Sequence, residues 1–546
     1  MLSDIFQKNI KVFLIVAIVL LAAFFRLYQL ASIPPQASLD EVSIGYNAFS
    51  ILHTGADEYG YRFPVLLRAY DDWRPALYTY FVIPFVALFG LTVSAVRMPS
   101  VILSILSVLA MYKLADLLFK NRTISLFVLL ALAISPWHIY ISRLGHEVNL
   151  FFSFFIFALM FFYWFLSKTK PIFLILSSFC FAVSLISYQS GKIFIPIIVL
   201  TLFVLYFKKI TKNKKLLVIS ICLAIVVSVP SLYASRTPEA LIRFKATNIY
   251  KEVPYKQRES SIKILEAKQR NDVIGQILNN RRLVYLTLPI NAFASHLNPS
   301  WLFTNAHNES FKTPRVGLLY FYEIPFVLIG IFSLYFGKMY KKRLKILLTV
   351  WVVVGLLPAA ITSGYPHAMR VYQIMPLFLF LTAIGVYSTF SIFRKKVIRY
   401  SIMLVVLLVV CFSVAHFYKS YFYEFPRQNS NQFQYGFFKA FEITEKVKEE
   451  YATIYVSNRY NFTQSYMFYL FYKKYDPVIY QKMGGSQSGG YDITHKIDNY
   501  IFGEVPLIKP EENALTIISP LEYRSGPVLE KVQYLDGTDS MWIVEP

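Results

Sequence analysis

The sequence is poor in charged residues and in cysteine. Asp, Glu, Lys and Arg make up 16% of its 546 residues, whereas about 25% is usual for a soluble domain. The three cysteines, Cys180, Cys222 and Cys411, lie in apolar stretches, and none belongs to a Cys-x-x-Cys or Cys/His pattern. The shortage of charge excludes an ordinary soluble enzyme and a disordered chain. The cysteines support neither a disulfide framework nor a zinc site.

Hydrophobic residues and positive charge are both in excess. Hydrophobic residues make up 56% of the chain and the mean hydropathy is +0.47, which indicates an integral membrane protein. The formal net charge is +23. In a soluble protein this excess would suggest a nucleic acid partner. Here the positions of the basic residues indicate membrane topology instead, and we expect the lipid bilayer and no nucleic acid as a partner.

Eleven apolar stretches are long enough to cross a bilayer, since a spanning helix needs about 20 mostly apolar residues. They are residues 12–30, 98–119, 123–141, 150–167, 171–187, 193–207, 215–233, 317–337, 345–362, 371–389 and 397–417. The first stretch is too long for a signal peptide and lacks a small-residue cleavage site, so we expect it to be retained. A further apolar stretch, 75–90, is shorter and is interrupted by Pro84.

The side on which every later loop lies depends on whether residues 75–90 cross the bilayer. Lys and Arg concentrate in short cytoplasmic loops. If 75–90 lies at the interface, the short cytoplasmic loops hold 18 Lys and Arg, and the short external loops hold only Arg143, Lys192 and Arg370. If 75–90 crossed, this bias would be inverted. We therefore predict a multi-pass protein of the cell (plasma) membrane with a cytoplasmic amino terminus.

This topology predicts two domains. Residues 1–419 form a transmembrane domain whose long loops, 31–97 and 234–316, lie outside. Residues 420–546 contain no spanning stretch and form a small external domain. We predict an α/β structure there, because a helical pattern alternates with strand-like runs such as Thr453–Val456 and Leu515–Ile518.

Five polar segments fall on the external face under this topology. Charges are costly within a bilayer, so polar clusters at the ends of spanning helices are functional candidates. The segments are Asp40-Glu41, Asp71 to Pro75, Ser142 to Asn149, Tyr188 to Lys192, and Tyr365 to Arg370. Taken singly, each also fits an ordinary role as a helix cap, a snorkelling cation or an interfacial aromatic residue. Asp57-Glu58 and Asp71-Asp72 are expected to be solvated loop charges.

Acids and bases gathered at an outer leaflet suit sugar transfer from a polyprenyl-phosphate donor. A carboxylate takes the proton of an acceptor hydroxyl as general base. Lys, Arg and His stabilise the negative charge on a departing phosphate. A lipid-linked phosphate lies at the headgroup level, where these segments are predicted to be.

A series of short motifs follows the first helix. They are Arg26-Leu27-Tyr28, Leu30, Pro34-Pro35, Asp40-Glu41, Gly45-Tyr46, Thr54-Gly55, Asp57-Glu58 and Gly60, and then Arg74-Pro75-Ala76-Leu77-Tyr78, Gly90 and Arg97-Met98-Pro99-Ser100. The series resembles the first external loop of the GT-C glycosyltransferases. The likeness is to the bacterial branch similar to protein O-mannosyltransferases and the lipid A aminoarabinose transferase (glycosyltransferase family 39/83-like). Weaker similarity runs through Tyr188 to Lys192, Asn291 to Phe303 and Pro366 to Arg370.

The resemblance implies a polytopic α-helical protein of GT-C type, with about eleven transmembrane helices and external juxtamembrane helices. It also implies a mannosyltransferase-like enzyme of the cell envelope. Such an enzyme transfers a sugar, with inversion, from a polyprenyl-phosphate donor to a hydroxyl of a protein, lipid or envelope glycan. The relatives of this branch use no cofactor or metal, and we expect none. A divalent ion held by Asp40, Glu41 and Glu147 is the alternative.

The resemblance also assigns residues to roles. Asp40 is the general base, and Glu41 and Glu147 shape or share that role, although many relatives have Asp at the position of Glu147. The predicted substrate-binding residues are Arg74, His146, Tyr188, Lys192, His367 and Arg370. The cations among them hold the lipid phosphate, and the two histidines donate hydrogen bonds to it. At Arg74 the family usually has Lys, so the charge is kept and the geometry is not.

Two other classes of function remain open from the sequence. A flippase or transporter of lipid-linked saccharides would have polar residues at mid-membrane depth and two similar halves, and the sequence shows neither. A non-catalytic receptor would bind an envelope polymer through residues 420–546. That reading gives Asp40, Glu41 and Glu147 no common purpose.

Overall fold

The computed structural model describes residues 2–70, 72–304, 311–393, 395–460, 462–490, 494–505 and 513–545. Asp71 lies outside these residues. The chain divides into two compact units. The first unit comprises Met1–Ala23, Ile105–Ile141 and Phe151–Phe417, and the second comprises Phe24–Ser104, Ser142–Leu150 and Tyr418–Pro546.

The amino-terminal part of the chain contains ten α-helices and one two-stranded sheet. The helices are α1 (Leu2–Leu27), α2 (Leu39–Thr54), α3 (Leu77–Phe89), α4 (Val93–Phe119), α5 (Arg122–Ile134), α6 (Pro136–Ser142), α7 (Glu147–Lys168), α8 (Pro171–Ser187), α9 (Gly191–Ile210) and α10 (Lys214–Ala234). Strands β1 (Leu66–Ala69) and β2 (Asp72–Pro75) pair antiparallel, with Arg68 opposite Trp73.

The central part of the chain is also helical. Its helices are α11 (Pro238–Thr247), α12 (Val253–Gln269), α13 (Val273–Leu278), α14 (Val284–Ser295), α15 (Pro299–Phe303), α16 (Glu323–Phe336), α17 (Lys342–Ala360), α18 (Met375–Ile392), α19 (Lys396–Lys419) and α20 (Phe425–Asn429). Short 3₁₀ turns cover Ile249–Glu252, Tyr372–Ile374 and Ser430–Phe433, and a π turn covers Ser420–Glu424.

Each of the eleven predicted spans overlaps an apolar helix. By length and composition, eight helical segments of the described chain can cross a membrane, or nine if α5 and α6, bent by 53°, form one span. The other two predicted spans coincide with the shorter apolar helices α8 and α16. Helix α3, at the segment predicted to lie at the interface, has 13 residues, fewer than the about 20 that a span needs. The predicted class of multi-pass α-helical membrane protein is confirmed.

The carboxyl-terminal region is an α/β structure, as predicted. It contains α21 (Phe437–Val447), β3 (Thr453–Ser457), α22 (Ser465–Lys473), α23 (Pro477–Lys482), β4 (His495–Ile497), β5 (Tyr500–Gly503), β6 (Ala514–Ile518), β7 (Val528–Gln533) and β8 (Asp539–Val544). The six strands form one sheet in the order β4-β5-β3-β6-β8-β7. Strand β3 runs parallel to both of its neighbours, β5 and β6, and the other pairs are antiparallel.

Helix α2 is fixed within the second unit by tight packing. A Cβ atom added at Gly45 would lie 2.5 Å from the ring of Phe471 on α22 and 2.7 Å from Val96 on α4. Only glycine therefore lets both neighbours come so close. The hydroxyl of Tyr46 donates to the carbonyl of Tyr475, 3.2 Å away. The carboxyl-terminal α/β structure thus holds the helix that carries Asp40 in its first turn.

Candidate active site

Asp40 is presented by the first turn of α2. Ser38 caps this helix: its side chain accepts from the backbone N–H of Glu41, and the carboxylate of Glu41 accepts from the backbone N–H of Ser38. This is a capping box, which fixes where the helix starts. The side chain of Asp40 is 49% exposed. A negative charge in this position is also stabilised by the positive end of the helix dipole.

Two basic side chains flank the carboxylate of Asp40. Nη1 of Arg74 donates to Oδ1 of Asp40 at 2.9 Å. Nε2 of His146 lies 3.7 Å from Oδ2. The charge-assisted hydrogen bond from Arg74 fixes the orientation of the carboxylate. Asp40 is thus an oriented carboxylate that is open to a ligand.

Arg74, on strand β2, has guanidinium N–H groups that no acceptor in the described chain satisfies. The residue is 3% exposed. Its Nε and Nη2 atoms are buried and have no hydrogen-bond partner within the part of the chain that the structure describes. Leaving buried N–H groups of a cation without an acceptor is costly. A guanidinium matches the oxygen geometry of a phosphate, so a phosphate oxygen beside Asp40 would satisfy these groups.

Glu41 is enclosed, in contrast to its neighbour Asp40. Its Oε1 accepts from Nε of Arg97 at 2.7 Å and from the backbone N–H of Gly145 at 2.8 Å. Its Oε2 accepts from Nη2 of Arg97 at 3.1 Å and from the backbone N–H of Ser38 at 2.8 Å. Burial by itself would raise the pKa of Glu41, but Arg97 and the two backbone N–H groups outweigh it and the pKa is lowered. The geometry therefore favours the shaping role predicted for Glu41 over proton transfer.

The guanidinium of Arg97 hydrogen-bonds to several groups around Asp40. Sequence reasoning did not include Arg97 among the site residues. Its Nη1 donates to the carbonyls of Leu30 and Pro34, and its Nη2 donates to the carbonyl of Gln36. With the bonds to Glu41, all five N–H groups of the guanidinium are used. An arginine near the start of a spanning helix was the available signal, because a charge in that place requires a partner.

His146 joins Asp40 to Glu147. The ring nitrogen Nδ1 of His146 lies 3.3 Å from Oε2 of Glu147, and its Nε2 faces Asp40. Glu147 is 2% exposed and is the first residue of α7. The structure therefore brings Asp40, Arg74, His146 and Glu147 together, although the first and the last are more than a hundred residues apart in sequence.

The loop that carries His146 is held against α4. Nδ2 of Asn149 donates to the carbonyl and to the hydroxyl of Ser100, at 2.8 and 3.0 Å. The hydroxyl of Ser100 donates to the carbonyl of Ser142. A Cβ atom added at Gly145 would lie 2.7 Å from Val96. The loop thus approaches α4 too closely for any other residue at position 145 without a shift.

Tyr188, Lys192 and Arg370 line one cavity of the first unit. The cavity has a volume of about 280 Å³, and apolar side chains such as Leu241 and Phe244 form the rest of its wall. Nζ of Lys192 donates to the hydroxyl of Ser235 at 2.7 Å. We call this the cationic cavity. A wall with two cations and an apolar part suits an anionic amphiphile.

His367 is not one of the residues that line the cationic cavity. Its backbone N–H donates to Nε2 of His296 at 3.1 Å, and Nδ1 of His296 pairs with the carbonyl of Ala292 at 2.6 Å. Burial lowers the pKa of His296 to about 4, so this ring is neutral at neutral pH. His296 positions the loop that carries His367 and Arg370. Sequence reasoning noticed its segment but did not assign the residue a role.

The prediction that Asp57 and Glu58 are solvated loop charges is wrong. Both residues are fully buried. The carboxylate of Glu58 accepts from Asn47 at 3.1 Å, from Ser486 at 2.6 Å and from Tyr466 at 3.2 Å. The reason is long-range packing: the glycine-rich run that includes Ser486 folds over the loop after α2.

Glu58 is expected to make stability fall as the pH rises. Burial raises its pKa to about 7 from 4.5, against the hydrogen bonds from Ser486 and Asn47. Between these two values the folded chain binds more protons than the unfolded chain, so stability falls with rising pH. Glu58→Gln removes this contribution. The melting temperature of the variant should match that of the wild type at pH 4.5 and exceed it at pH 8.

An exposed glutamate is the matched control for Glu58. Glu442 on α21 has a side chain that is 44% exposed, and Glu442→Gln should leave the difference from the wild type flat across the same pH range. A Glu58→Gln variant that is destabilised equally at pH 4.5 and pH 8 would contradict the expectation.

The described residues hold no group of three or more His, Cys, Asp and Glu placed as a metal site. Glu41 is occupied by Arg97, Ser38 and Gly145. Its oxygens are therefore unsuited to completing an ion site with Asp40 and Glu147. That the reaction needs no metal stays a prediction.

Comparison with known proteins finds a family model that matches part of the chain and a solved structure with a similar fold. Residues 73–233 match the family "Dolichyl-phosphate-mannose-protein mannosyltransferase". No curated protein sequence matches the chain. The crystal structure of ArnT from Cupriavidus metallidurans bound to undecaprenyl phosphate superimposes with a TM-score of 0.51 at 11% identity, covering 98% of this chain and 97% of that one.

The apo structure of the same ArnT gives a TM-score of 0.42 at 12% identity, over 98% of each chain. At 11% identity the first likeness concerns the fold, and it covers nearly the whole chain. The family match covers the segment that runs from β2 into α10. Together they confirm the predicted resemblance.

Proposed function

We propose that this GT-C membrane glycosyltransferase transfers a sugar from a polyprenyl-phosphate-linked donor to a hydroxyl of a protein, lipid or envelope glycan. The observation that carries the proposal is the exposure and orientation of the Asp40 carboxylate. It is a half-exposed carboxylate oriented by Arg74, whose remaining N–H groups are buried without an acceptor in the described chain. The undecaprenyl phosphate bound to the structurally similar ArnT supports a donor of this class.

In this mechanism Asp40 is the general base. The acceptor oxygen attacks the anomeric carbon while its proton passes to the carboxylate of Asp40. The bond between the anomeric carbon and the phosphate oxygen breaks, and polyprenyl phosphate leaves with the electron pair. A single displacement of this kind inverts the anomeric centre. It needs one open carboxylate, and the neighbouring Glu41 is closed by Arg97 and two backbone N–H groups.

Arg74 and His146 serve the departing phosphate. Nε and Nη2 of Arg74, which have no acceptor among the described residues, stabilise the charge that develops on the leaving oxygen, as in an oxyanion site. His146, between Asp40 and Glu147, supplies a further hydrogen bond. The backbone N–H of Val148 donates to Nδ1 of His146 at 3.2 Å, and the carboxylate of Glu147, 3.3 Å from the same nitrogen, packs against the ring. Glu147 is therefore assigned a positioning role.

The cationic cavity of Tyr188, Lys192 and Arg370 is assigned to an anionic lipid. Its two cations pair with a lipid headgroup, and its apolar wall contacts the start of a hydrocarbon chain. His367 acts through the position of the loop that it shares with Arg370.

We place the amino terminus in the cytoplasm and residues 420–546 outside, as the distribution of Lys and Arg predicts.

Arg74→Ala is expected to weaken the binding of polyprenyl phosphate about 10- to 100-fold. The reason is that hydrogen bonds to charged groups contribute about 1.5–3 kcal/mol, and about 1.4 kcal/mol corresponds to a factor of ten in Kd. The measurement is the Kd of sugar-free polyprenyl phosphate in nanodiscs, which does not depend on turnover. Arg74→Lys should recover part of the loss, since it keeps the charge without the planar fork.

Arg68 is the matched control for Arg74. It lies on the neighbouring strand β1, opposite Trp73, with its guanidinium 4.4 Å from the ring centre of Tyr59. Arg68→Ala should leave the Kd unchanged. Equal Kd values for Arg74→Ala and the wild type would remove Arg74 from the phosphate site.

The proposed function is tested with purified protein in nanodiscs and synthetic polyprenyl-phosphate sugars. Formation of a glycosylated acceptor together with free polyprenyl phosphate supports transfer. Translocation of the intact donor across liposomes without any glycosylated product would show a flippase instead. Release of neither product, with tight binding of an envelope polymer, would show a receptor.

A further inference from the structure

A second cavity of the first unit lies between α12 and α14. It has a volume of about 320 Å³, and we call it the polar cleft. The polar side chains that line it are Lys256, Glu259, Ser260, Lys263, Asn279, Asn280, Thr287 and Asn291. The cleft belongs to none of the catalytic roles assigned above.

The polar cleft is built from two facing helix surfaces. On α12 and on α14 the lining positions recur every three or four residues, as one face of a helix requires. The rest of its lining is apolar and consists of Leu278, Leu283, Val284, Leu288 and Tyr365. The ring of Tyr365 packs against a buried cluster that includes Val284 and Leu288. The cleft therefore combines polar side chains with apolar ones that include an aromatic ring.

The charges in the polar cleft are mixed and mostly compensated. Nζ of Lys256 and Oε2 of Glu259 form an ion pair at 3.0 Å, which leaves Lys263 as the other charged residue of the lining. Asn291 is exposed. Amide, hydroxyl and carboxylate groups of this kind bond the hydroxyls of a sugar, and an apolar surface packs against its C–H face.

The polar cleft adjoins the cationic cavity. Thr247 and Thr362 line the cationic cavity, and Tyr365, three residues after Thr362, lines the polar cleft. Two backbone hydrogen bonds tie these segments together, from Ile249 to the carbonyl of Ile361 and from Ser363 to the carbonyl of Thr247. The cleft and the cationic cavity therefore lie on neighbouring, hydrogen-bonded segments of the first unit.

We propose that the polar cleft binds a neutral, hydroxyl-rich saccharide, and that this saccharide belongs to the acceptor. The inference rests on the proposed function, because it assigns the cleft to the second substrate of the same transfer. It selects a glycan or the sugar part of a glycolipid as the acceptor, in preference to the serine or threonine of a protein.

Asn291→Ala and Thr287→Val test the proposal on the full chain in nanodiscs. The probes are the methyl glycosides of glucose, galactose, mannose and N-acetylglucosamine, with a short Ser/Thr peptide as the competing acceptor class. Binding is measured by saturation-transfer NMR and transfer by product formation. We expect at least one glycoside to bind, and each variant to raise its KM or Kd about tenfold. The Kd of polyprenyl phosphate should stay at its wild-type value.

Gln276→Ala is the matched control, since Gln276 is an amide on α13 outside the lining of the cleft. It should leave glycoside binding unchanged. Absence of glycoside binding, or binding that Asn291→Ala and Thr287→Val leave unaltered, would overturn the proposal. Efficient transfer to the peptide with unchanged kinetics in the variants would also overturn it while upholding the transferase function. If the wild type did not bind polyprenyl phosphate at all, that result would instead count against the proposed function.

Discussion

Asp40→Asn is expected to reduce the rate of sugar transfer about 10³-fold. Removal of a general base costs about 10²- to 10⁴-fold, and asparagine cannot accept the proton of the acceptor hydroxyl. The amide keeps an oxygen that can accept from Arg74, which lies 2.9 Å from the carboxylate in the wild type. The loss should therefore appear in kcat, with the KM of the donor changed little. Initial rates with a synthetic polyprenyl-phosphate sugar measure both.

Two further variants separate chemistry from folding and from charge. Glu442→Gln removes an exposed carboxylate of the same unit and should leave kcat unchanged. Glu147→Gln should lower kcat less than Asp40→Asn, because Glu147 acts through His146. A correctly folded Asp40→Asn variant with wild-type kcat would remove Asp40 from the role of base.

The membrane-spanning helices were predictable from sequence because hydrophobic length is a local property. All eleven apolar stretches coincide with helices. Helices α8 and α16 fall short of spanning length, and α5 reaches it only if it forms one span with α6. The α/β character of the carboxyl-terminal region followed equally from local patterns of strand and helix. The strand order of its sheet did not, because pairings such as β3 with β6 join segments that are about 60 residues apart.

The residues around Asp40 were predictable because their types suit one chemistry and the resemblance fixed their spacing. Their division of labour was not predictable. Asp40 and Glu41 are adjacent in sequence, yet one is half-exposed and the other is closed by Arg97 and two backbone N–H groups. The difference arises from a residue 56 positions away. No local pattern specifies such a contact.

At Asp57 and Glu58 the prediction from the sequence was wrong. Adjacent acids in a loop rich in turn residues are usually solvated, so the sequence favoured that interpretation. In the structure Tyr466 and Ser486, more than 400 residues further along, donate to Glu58 and bury it. A polar residue buried through partners so distant in sequence is predictable only when the tertiary packing is known.

Arg97→Met is expected to destabilise the second unit by about 3–5 kcal/mol. This is the cost of removing one partner of a buried ion pair, because the remaining charge stays uncompensated. Glu41 is 1% exposed and would be that charge. Three carbonyls, those of Leu30, Pro34 and Gln36, would also lose their donors. The free energy of unfolding in mixed micelles measures the effect.

Two control variants separate the effect of the buried Arg97–Glu41 ion pair from that of a surface ion pair and from that of positive charge alone. Lys439→Met breaks a surface pair with Glu442, whose side chains are 56% and 44% exposed, and should cost less than about 1 kcal/mol. Arg97→Lys keeps the charge but has three donors where Arg97 uses five N–H groups. It should therefore fold less stably than the wild type. At a temperature where it is folded, it should have a lower kcat and an unchanged Kd for polyprenyl phosphate. Wild-type stability in Arg97→Met would mean that the start of α2, and with it the orientation of Asp40, is fixed by other contacts.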